Sequence, residues 1–341
     1  MKSKKLVTFV VVVALAIFLS SYQLDLYISR PGGAYDLAPL VQVEGRDEDD
    51  EGTLNLMTVS MMNATPSLYL FARFQEGYKI LQPEQVRSPH ETDEEYNVRQ
   101  LKLMSDSQVN AIEVAFEKAE LPYEITNNGV FVMNVLEGGA AHGLLQPGDR
   151  ILSLDDNEFT TMEEFMDYLV GRDDGEEVEL RYERDGTAIS GAVELAPLPT
   201  DPERIGLGIS FVEDKIITTT PNVTIDSDQI GGPSAGLMFT LEIINQLVDE
   251  DITKGHDIAG TGTMLSTGEV GRIGGVDQKI IAADNQGMSV FFVPDDEVSG
   301  DFQSNYELAL ETAENIGTEM EVVPVQTIDD ALDFLEQLQP K

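Results

Sequence analysis

Apolar and polar positions divide the chain into stretches of different period. Leu6 to Leu19 is an almost unbroken apolar run, preceded by Lys2, Lys4 and Lys5, and weaker apolar character continues from Tyr22 to Ile28. The strict run falls short of the ~20 residues that span a bilayer, and a signal-peptide core has the same look. Phe18-Leu19-Ser20-Ser21-Tyr22 lacks the small-x-small pattern of a cleavage site, which favours an uncleaved anchor over residues 1–30. Basic residues before the span and an acidic bulk after it predict a cytoplasmic N-terminus with the remainder outside. Pro31-Gly32-Gly33 stops any helix. Leu40 to Val43 and the alternating Leu54 to Met61 read as strands joined by the charged turn Arg46–Gly52. Ser67 to Phe74 reads as a helix and Glu84 to Asn97 as a polar loop. Ser105-Asp106-Ser107 reads as the cap of a helix with Val109, Ile112, Ala115, Phe116 and Ala119 on one face.

The character changes from about residue 125. Val130 to Val135 is a strand, followed by Gly138-Gly139-Ala140-Ala141 and then by Gly143-Leu144-Leu145-Gln146-Pro147-Gly148-Asp149-Arg150-Ile151-Leu152-Ser153-Leu154. A short amphipathic helix (Met162 to Leu169) and two strands (Val178 to Glu183, Ala188 to Leu195) complete the unit. The stretch AAHGLLQPGDRILSLDD resembles the PDZ family. PDZ domains add a peptide as an extra strand and hold its C-terminal carboxylate in a backbone nest. The resemblance implies a nest at Asn128-Gly129-Val130-Phe131 and a peptide-binding set of Gly129, Val130, Phe131 and Val132. The family's loop pattern is Gly-hydrophobic-Gly-hydrophobic, and Val130-Phe131-Val132 departs from it at the second glycine. A module that only spaces or orients its neighbours is the other reading of the same residues.

From about Arg204 onward, strand and helix patterns alternate, which implies an α/β or α+β domain. Lys215 to Ile225 alternates and is rich in Thr. Ile230 to Gly236 is a Gly-rich turn opening into the apolar helix Leu237 to Val248. Further strands read at Ile258 to Met264, Ser289 to Val293 and Glu321 to Val325, with a helix from Ile280.

Composition narrows the function classes. The 341 residues hold 62 Asp+Glu, 21 Lys+Arg and 3 His, giving a net charge of -41. Nothing here neutralises a run of phosphates, so nucleic acid is not an expected partner. With no Cys, disulfides, thiol catalysis and Cys-ligated zinc are excluded. His90, His142 and His256 are scattered and form no H-E-x-x-H, so no metal site is expected.

Gly232-Pro233-Ser234-Ala235-Gly236 fits G-x-S-x-G, a turn that exposes a serine hydroxyl beside the N–H groups of a helix start. A Gly-rich loop entering a helix explains the same letters. A Ser-His-Asp arrangement would have to use His256, which follows Ser234 too closely for an elbow fold. A serine can instead use a neutral lysine as its base, which needs burial of the amine. Lys254 sits among acids and Lys341 at the terminus. Lys279, after Gly274-Gly275 and before Ile280-Ile281-Ala282-Ala283, has the apolar neighbourhood that the role requires. An ordinary exposed helix lysine remains the alternative on residues alone.

Together, GGPSAG and AGTGTMLSTGEVGRIGGVDQKIIAA closely resemble the proteolytic domain of Lon-type proteases. The resemblance implies Ser234 as nucleophile, Lys279 as general base, Thr261 as the hydroxyl that orients the lysine, and supporting roles for Gly231 and Gly232. The family often has an acidic residue where Gly231 stands. No G-x-x-x-x-G-K-[ST] occurs, so an ATPase module is not expected. Nearly the whole chain, including YISRPGGAYDLAPLVQVEG and LMTVSMMNATP, is similar to the membrane-anchored, PDZ-containing Lon-like proteases of Gram-positive bacteria. That likeness implies an α+β fold: a Lon-type proteolytic domain with an inserted PDZ domain and an N-terminal transmembrane helix. The implied parts are an anchor (1–30), a first part of the protease (31–122), the PDZ insertion (123–199) and the catalytic part (200–341). The expected activity is ATP-independent cleavage of exported peptides or unstructured protein segments outside the cytoplasmic membrane, with no cofactor. Lon-type domains often form rings, so an oligomer is open. The rival expectation is a non-catalytic PDZ scaffold with a degenerate protease fold.

Overall fold

The computed structural model describes residues 2–46, 51–88, 91–159, 161–227, 230–296 and 303–341. The centre of the expected acidic turn (47–50) and His90 lie outside them. The chain divides into two compact units. One gathers Met1–Glu91, Thr224–Asp226 and Ser234–Lys341; the other gathers Thr92–Val223 and Ser227–Pro233.

The first unit is built on a mixed six-stranded sheet. Its order is Glu321–Val325, Val290–Pro294, Asp257–Gly260, Thr53–Asn63, Tyr27–Asp36, Lys79–Leu81. Thr53–Asn63 and the three strands on that side run parallel, and Tyr27–Asp36 returns antiparallel. Parallel strands buried on both faces need apolar residues throughout rather than alternation. Val290–Pro294 meets that need, with all five residues buried.

Among the described residues the α-helices are α1 Lys2–Ser21, α2 Pro66–Ala72, α3 Asp93–Lys118, α4 Met162–Leu169, α5 Gly236–Leu247, α6 Val276–Asn285, α7 Asn305–Ile316 and α8 Ile328–Gln337. Within α5, every residue from Gly236 to Gln246 is buried, which fits a helix apolar on nearly every side. α6 and α7 pack with Met57, Ala259, Phe291 and Val293 into one apolar cluster.

α1 is long and apolar enough to cross a membrane: Lys4–Ser21 has a mean hydropathy of 2.0 and none of it is buried. A signal sequence passes the same test. The apolar character beyond Tyr22 belongs to the sheet instead, where Tyr27 pairs with Asn63 and Ile28 is fully buried. Pro31 and the glycines after it fall at a register shift of that strand, a place that tolerates a missing N–H.

The second unit holds a five-strand path ordered Ile209–Thr219, Tyr123–Val135, Arg150–Leu154, Glu177–Arg184, Thr187–Glu194. Val130, Val132, Ile151, Leu154, Phe165, Leu180 and Leu207 form its core. α3 packs against Tyr123–Val135 and Ile209–Thr219. It begins at Asp93 rather than after Ser105. Thr92 accepts from the Glu95 N–H and the Glu95 carboxylate accepts from the Thr92 N–H, a capping box. Ser105 to Ser107 therefore lie inside the helix.

Candidate active site

Three side chains expected to act together meet in the first unit. Ser234 stands two residues before the start of α5, Thr261 directly follows the strand Asp257–Gly260, and Lys279 lies in the first turn of α6. Lys279 Nζ is 2.7 Å from Ser234 Oγ and 2.8 Å from Thr261 Oγ1. Thr261 Oγ1 also donates to the Ser234 carbonyl at 3.0 Å, and the Gly262 N–H donates to that carbonyl at 3.0 Å.

Local sequence explains the placement. Gly275 takes φ 70 at the start of α6, a conformation that favours glycine. A Cβ there would come within 2.9 Å of Val59 Cγ2. The first turn of α6 is then pinned at the two residues before Lys279. Asp277 pairs with Lys79 at 2.7 Å. Ser29 Oγ donates to Gln278 Oε1 at 2.6 Å, and Gln278 Nε2 donates to the Gly77 carbonyl at 2.6 Å. Lys279 points into the interior toward Ser234.

Lys279 is 3% exposed. Burial alone pushes its ammonium down from the ordinary lysine value to about 7, with no carboxylate beside it among the described residues to hold the charge. The hydrogen-bond pattern then assigns direction. The single Thr261 hydroxyl proton goes to the Ser234 carbonyl, so Thr261 Oγ1 accepts from Lys279. A neutral amine donating to Thr261 has its lone pair left for the Ser234 hydroxyl proton. That is the arrangement of a nucleophile with its base.

Gly231 and Gly232 belong to the second unit. The Gly232 N–H donates to the Gln100 carbonyl at 2.9 Å, so this amide is occupied. A side chain at Gly231 would meet Gln100 Cβ at 2.8 Å, which is why no acidic residue fits there. His256 Nε2 bonds the Gln339 carbonyl at 2.8 Å. Among the described residues no cluster of His, Asp and Glu is arranged to hold a metal ion.

The peptide-binding set Gly129, Val130, Phe131 and Val132 is placed differently from the expectation. Val130 pairs with Ile151 on one side and Glu213 on the other. Val132 donates its N–H to Asp149 and accepts from the Gly148 N–H, and both valines are core residues. No edge is open there for an added strand. Among the described residues, Ile209–Thr219 stands at one end of the sheet and Thr187–Glu194 at the other. Beside Ile209–Thr219, a groove of about 810 Å³ runs between that strand and α4, lined by Phe165, Met166, Leu169, Val170, Ile209 and Phe211. Gly206-Leu207-Gly208-Ile209 at its mouth carries the Gly-hydrophobic-Gly-hydrophobic pattern. Gly208 has φ +70, and a Cβ on it would come within 2.6 Å of Gly139 Cα.

Comparison with known proteins matches two stretches of the chain. Residues 110–195 match the PDZ domain family, and residues 207–337 match the Lon protease (S16) C-terminal proteolytic domain. A Lon protease of Metamycoplasma arthritidis is 28% identical over 153 residues, 45% of this chain and 17% of that relative. The peroxisomal Lon protease homolog 2 of Caenorhabditis elegans is 32% identical over 143 residues, 42% of this chain and 17% of that relative. The chain thus spans under a fifth of the length of these curated relatives. The PDZ domain of an SdrC-like protein from Listeria monocytogenes is 30% identical, over 25% of this chain and 87% of that domain, with a TM-score of 0.23. The chain carries a PDZ domain and a Lon-type C-terminal proteolytic domain within an α+β fold, and it is a homologue of the Lon proteases.

Proposed function

We propose that this protein is a serine endopeptidase with a Ser234–Lys279 dyad that works without ATP. The observation that carries this reading is the 2.7 Å contact between Ser234 Oγ and an amine whose pKa burial lowers to about 7. Ser234 Oγ attacks the scissile carbonyl while its proton passes to Lys279 Nζ. The tetrahedral oxyanion lies against the Ser234 N–H and the start of α5, where helix N–H groups favour negative charge. Lys279 then returns the proton to the leaving amine. Water attacks the acyl-enzyme with Lys279 again as base, and Ser234 is regenerated.

The sequence has no phosphate-binding loop motif of the Walker type. Acting without ATP, the protein takes peptides, unstructured segments or processed precursors as substrates. The groove between α4 and Ile209–Thr219 selects them by strand addition with an apolar side chain seated against Phe165 and Leu169. α1 anchors the protein in the cytoplasmic membrane with both units outside. The parts 31–122 and 200–341 form one split protease domain around a PDZ insertion of 123–199. The gathering of Met1–Glu91 and Ser234–Lys341 into one unit supports the split, while the same division puts 92–122 and 200–223 with the inserted unit.

The test is casein digestion by the full chain in detergent, without ATP. Ser234→Ala and Lys279→Ala lose cleavage and His256→Ala keeps it. Cleavage that survives Lys279→Ala, or that needs ATP, sinks the reading.

A further inference from the structure

Within the second unit, α3 holds the loop that leads into Ser234 at several points. The Gln100 carbonyl takes the Gly232 N–H at 2.9 Å. Ser107 Oγ donates to the Pro233 carbonyl at 2.9 Å, and Gln108 Nε2 donates to Ser227 Oγ at 2.9 Å. Positions 100, 107 and 108 are spaced by seven and eight, so they share one helix face. The helix is itself fixed. Lys102 Nζ, buried on α3, bonds Asp214 of the strand Ile209–Thr219 at 2.9 Å and Asp106 at 2.6 Å. Asp214 is also held by Arg150 at 2.7 Å.

The Ser107 bond has a particular consequence. A helix serine commonly returns its hydroxyl to the carbonyl four residues earlier. Ser107 is 3% exposed and directs its hydroxyl to Pro233 instead. Proline has no N–H, so its side of the loop offers only that carbonyl for a hydrogen bond. The Pro233 carbonyl and the Ser234 N–H belong to one planar trans peptide and point in opposite directions. Fixing the carbonyl therefore fixes the direction of the Ser234 N–H.

We propose that Ser107 is a positioning residue for acylation: by holding the Pro233 carbonyl it aims the Ser234 N–H at the place where the oxyanion forms. The proposal rests on the Ser234–Lys279 reading and adds to it a residue 127 positions before the nucleophile in the sequence. Ser107 touches neither substrate nor the reacting atoms. Its effect belongs to the transition state, so it moves kcat and leaves KM in place.

The experiment compares full-length wild type, Ser107→Ala, Ser107→Thr and Ser234→Ala in detergent. It reads the rate of fluorophosphonate labelling, kcat and KM on casein, the pH midpoint of labelling and the urea midpoint. Ser107→Ala slows labelling and kcat by roughly ten- to a hundredfold with KM unchanged, the size of a small misplacement at a reacting centre. Its pH midpoint stays at the wild-type value because Lys279 is untouched. Ser107→Thr, which keeps the hydroxyl, restores most of the rate. Wild-type labelling rates in Ser107→Ala overturn the proposal. So does a Ser107→Thr variant no faster than Ser107→Ala, or a slow Ser107→Ala whose urea midpoint shows it largely unfolded while Ser107→Thr is folded and equally slow. Failure of the underlying reading looks different: wild type then labels no faster than Ser234→Ala.

Discussion

Among the described residues, Lys102 and Lys279 are equally buried, at 4% and 3% exposure, yet they sit in opposite chemical surroundings. Lys102 meets two carboxylates, Asp106 and Asp214, and Asp214 is shared with Arg150. Lys279 meets two hydroxyls and no carboxylate. A buried ammonium needs a counter-charge, and where none is supplied the group sheds its proton instead. The first lysine is therefore a strut whose charge is balanced. In the proposed dyad the second is the base, made by withholding the partner that would balance it. Burial alone does not mark a catalytic lysine; burial beside a nucleophile without a carboxylate does.

The largest expected effect separates the two sites at once. Lys279→Arg puts a permanently charged group where a neutral amine is needed. Casein turnover falls by about a thousandfold or more, as it does for Ser234→Ala. Residual turnover within tenfold of wild type would break the contrast.

Thr261→Val comes next. It removes the acceptor that orients the Lys279 amine and one of the two donors to the Ser234 carbonyl. Turnover drops by roughly ten- to a hundredfold, and Thr261→Ser recovers it; steady-state kinetics on casein decide.

Lys102→Met acts on stability instead. Breaking a buried ion pair by removing one partner costs about 3 kcal/mol, a shift visible in the urea midpoint. Arg150 still satisfies Asp214, so the cost stays at the low end. The folded fraction keeps a labelling midpoint near the value of about 7 set at Lys279.

His256→Ala is the smallest change. The ring bonds only the Gln339 carbonyl among the contacts described for it, so turnover stays within a factor of two and stability within about 1 kcal/mol. A collapse of activity would revive a histidine-based triad.

How much of this was legible in the sequence follows from the range of each signal. GGPSAG and the Gly-Gly-x-x-x-Lys stretch are local, and apolar residues around Lys279 announce its burial before any fold is known. Thr261 came only from the family likeness, since nothing in its neighbours shows the carbonyl it bonds. The beginning of α3 was missed although Thr92 and Glu95 spell a capping box, because Ser105-Asp106-Ser107 looks like a better cap. Ser107 and Asp106 have other partners, Pro233 and Lys102, and the first of these lies too far along the chain for local pattern to reveal. The peptide groove was sought before the strand Val130–Val135, while the matching glycine pattern stood at Gly206–Ile209. Strand order in space is not chain order, and pattern alone does not say which strand is the edge.

The burial of Lys279 also has a sign in stability. Its folded value lies below its unfolded one, so between about 7 and about 10.5 the unfolded chain binds the extra proton. This group therefore makes stability rise with pH across that window. Below about 7 both states are protonated and the slope disappears.

The most direct measurement of the central claim is the pH dependence of Ser234 labelling by a fluorophosphonate in the full-length protein, with Lys279→Ala alongside. Labelling that rises with pH through a midpoint near 7, levels off above it, and loses both midpoint and rate in Lys279→Ala is the result the account predicts. A flat profile, or a midpoint that persists unchanged in Lys279→Ala, would contradict it.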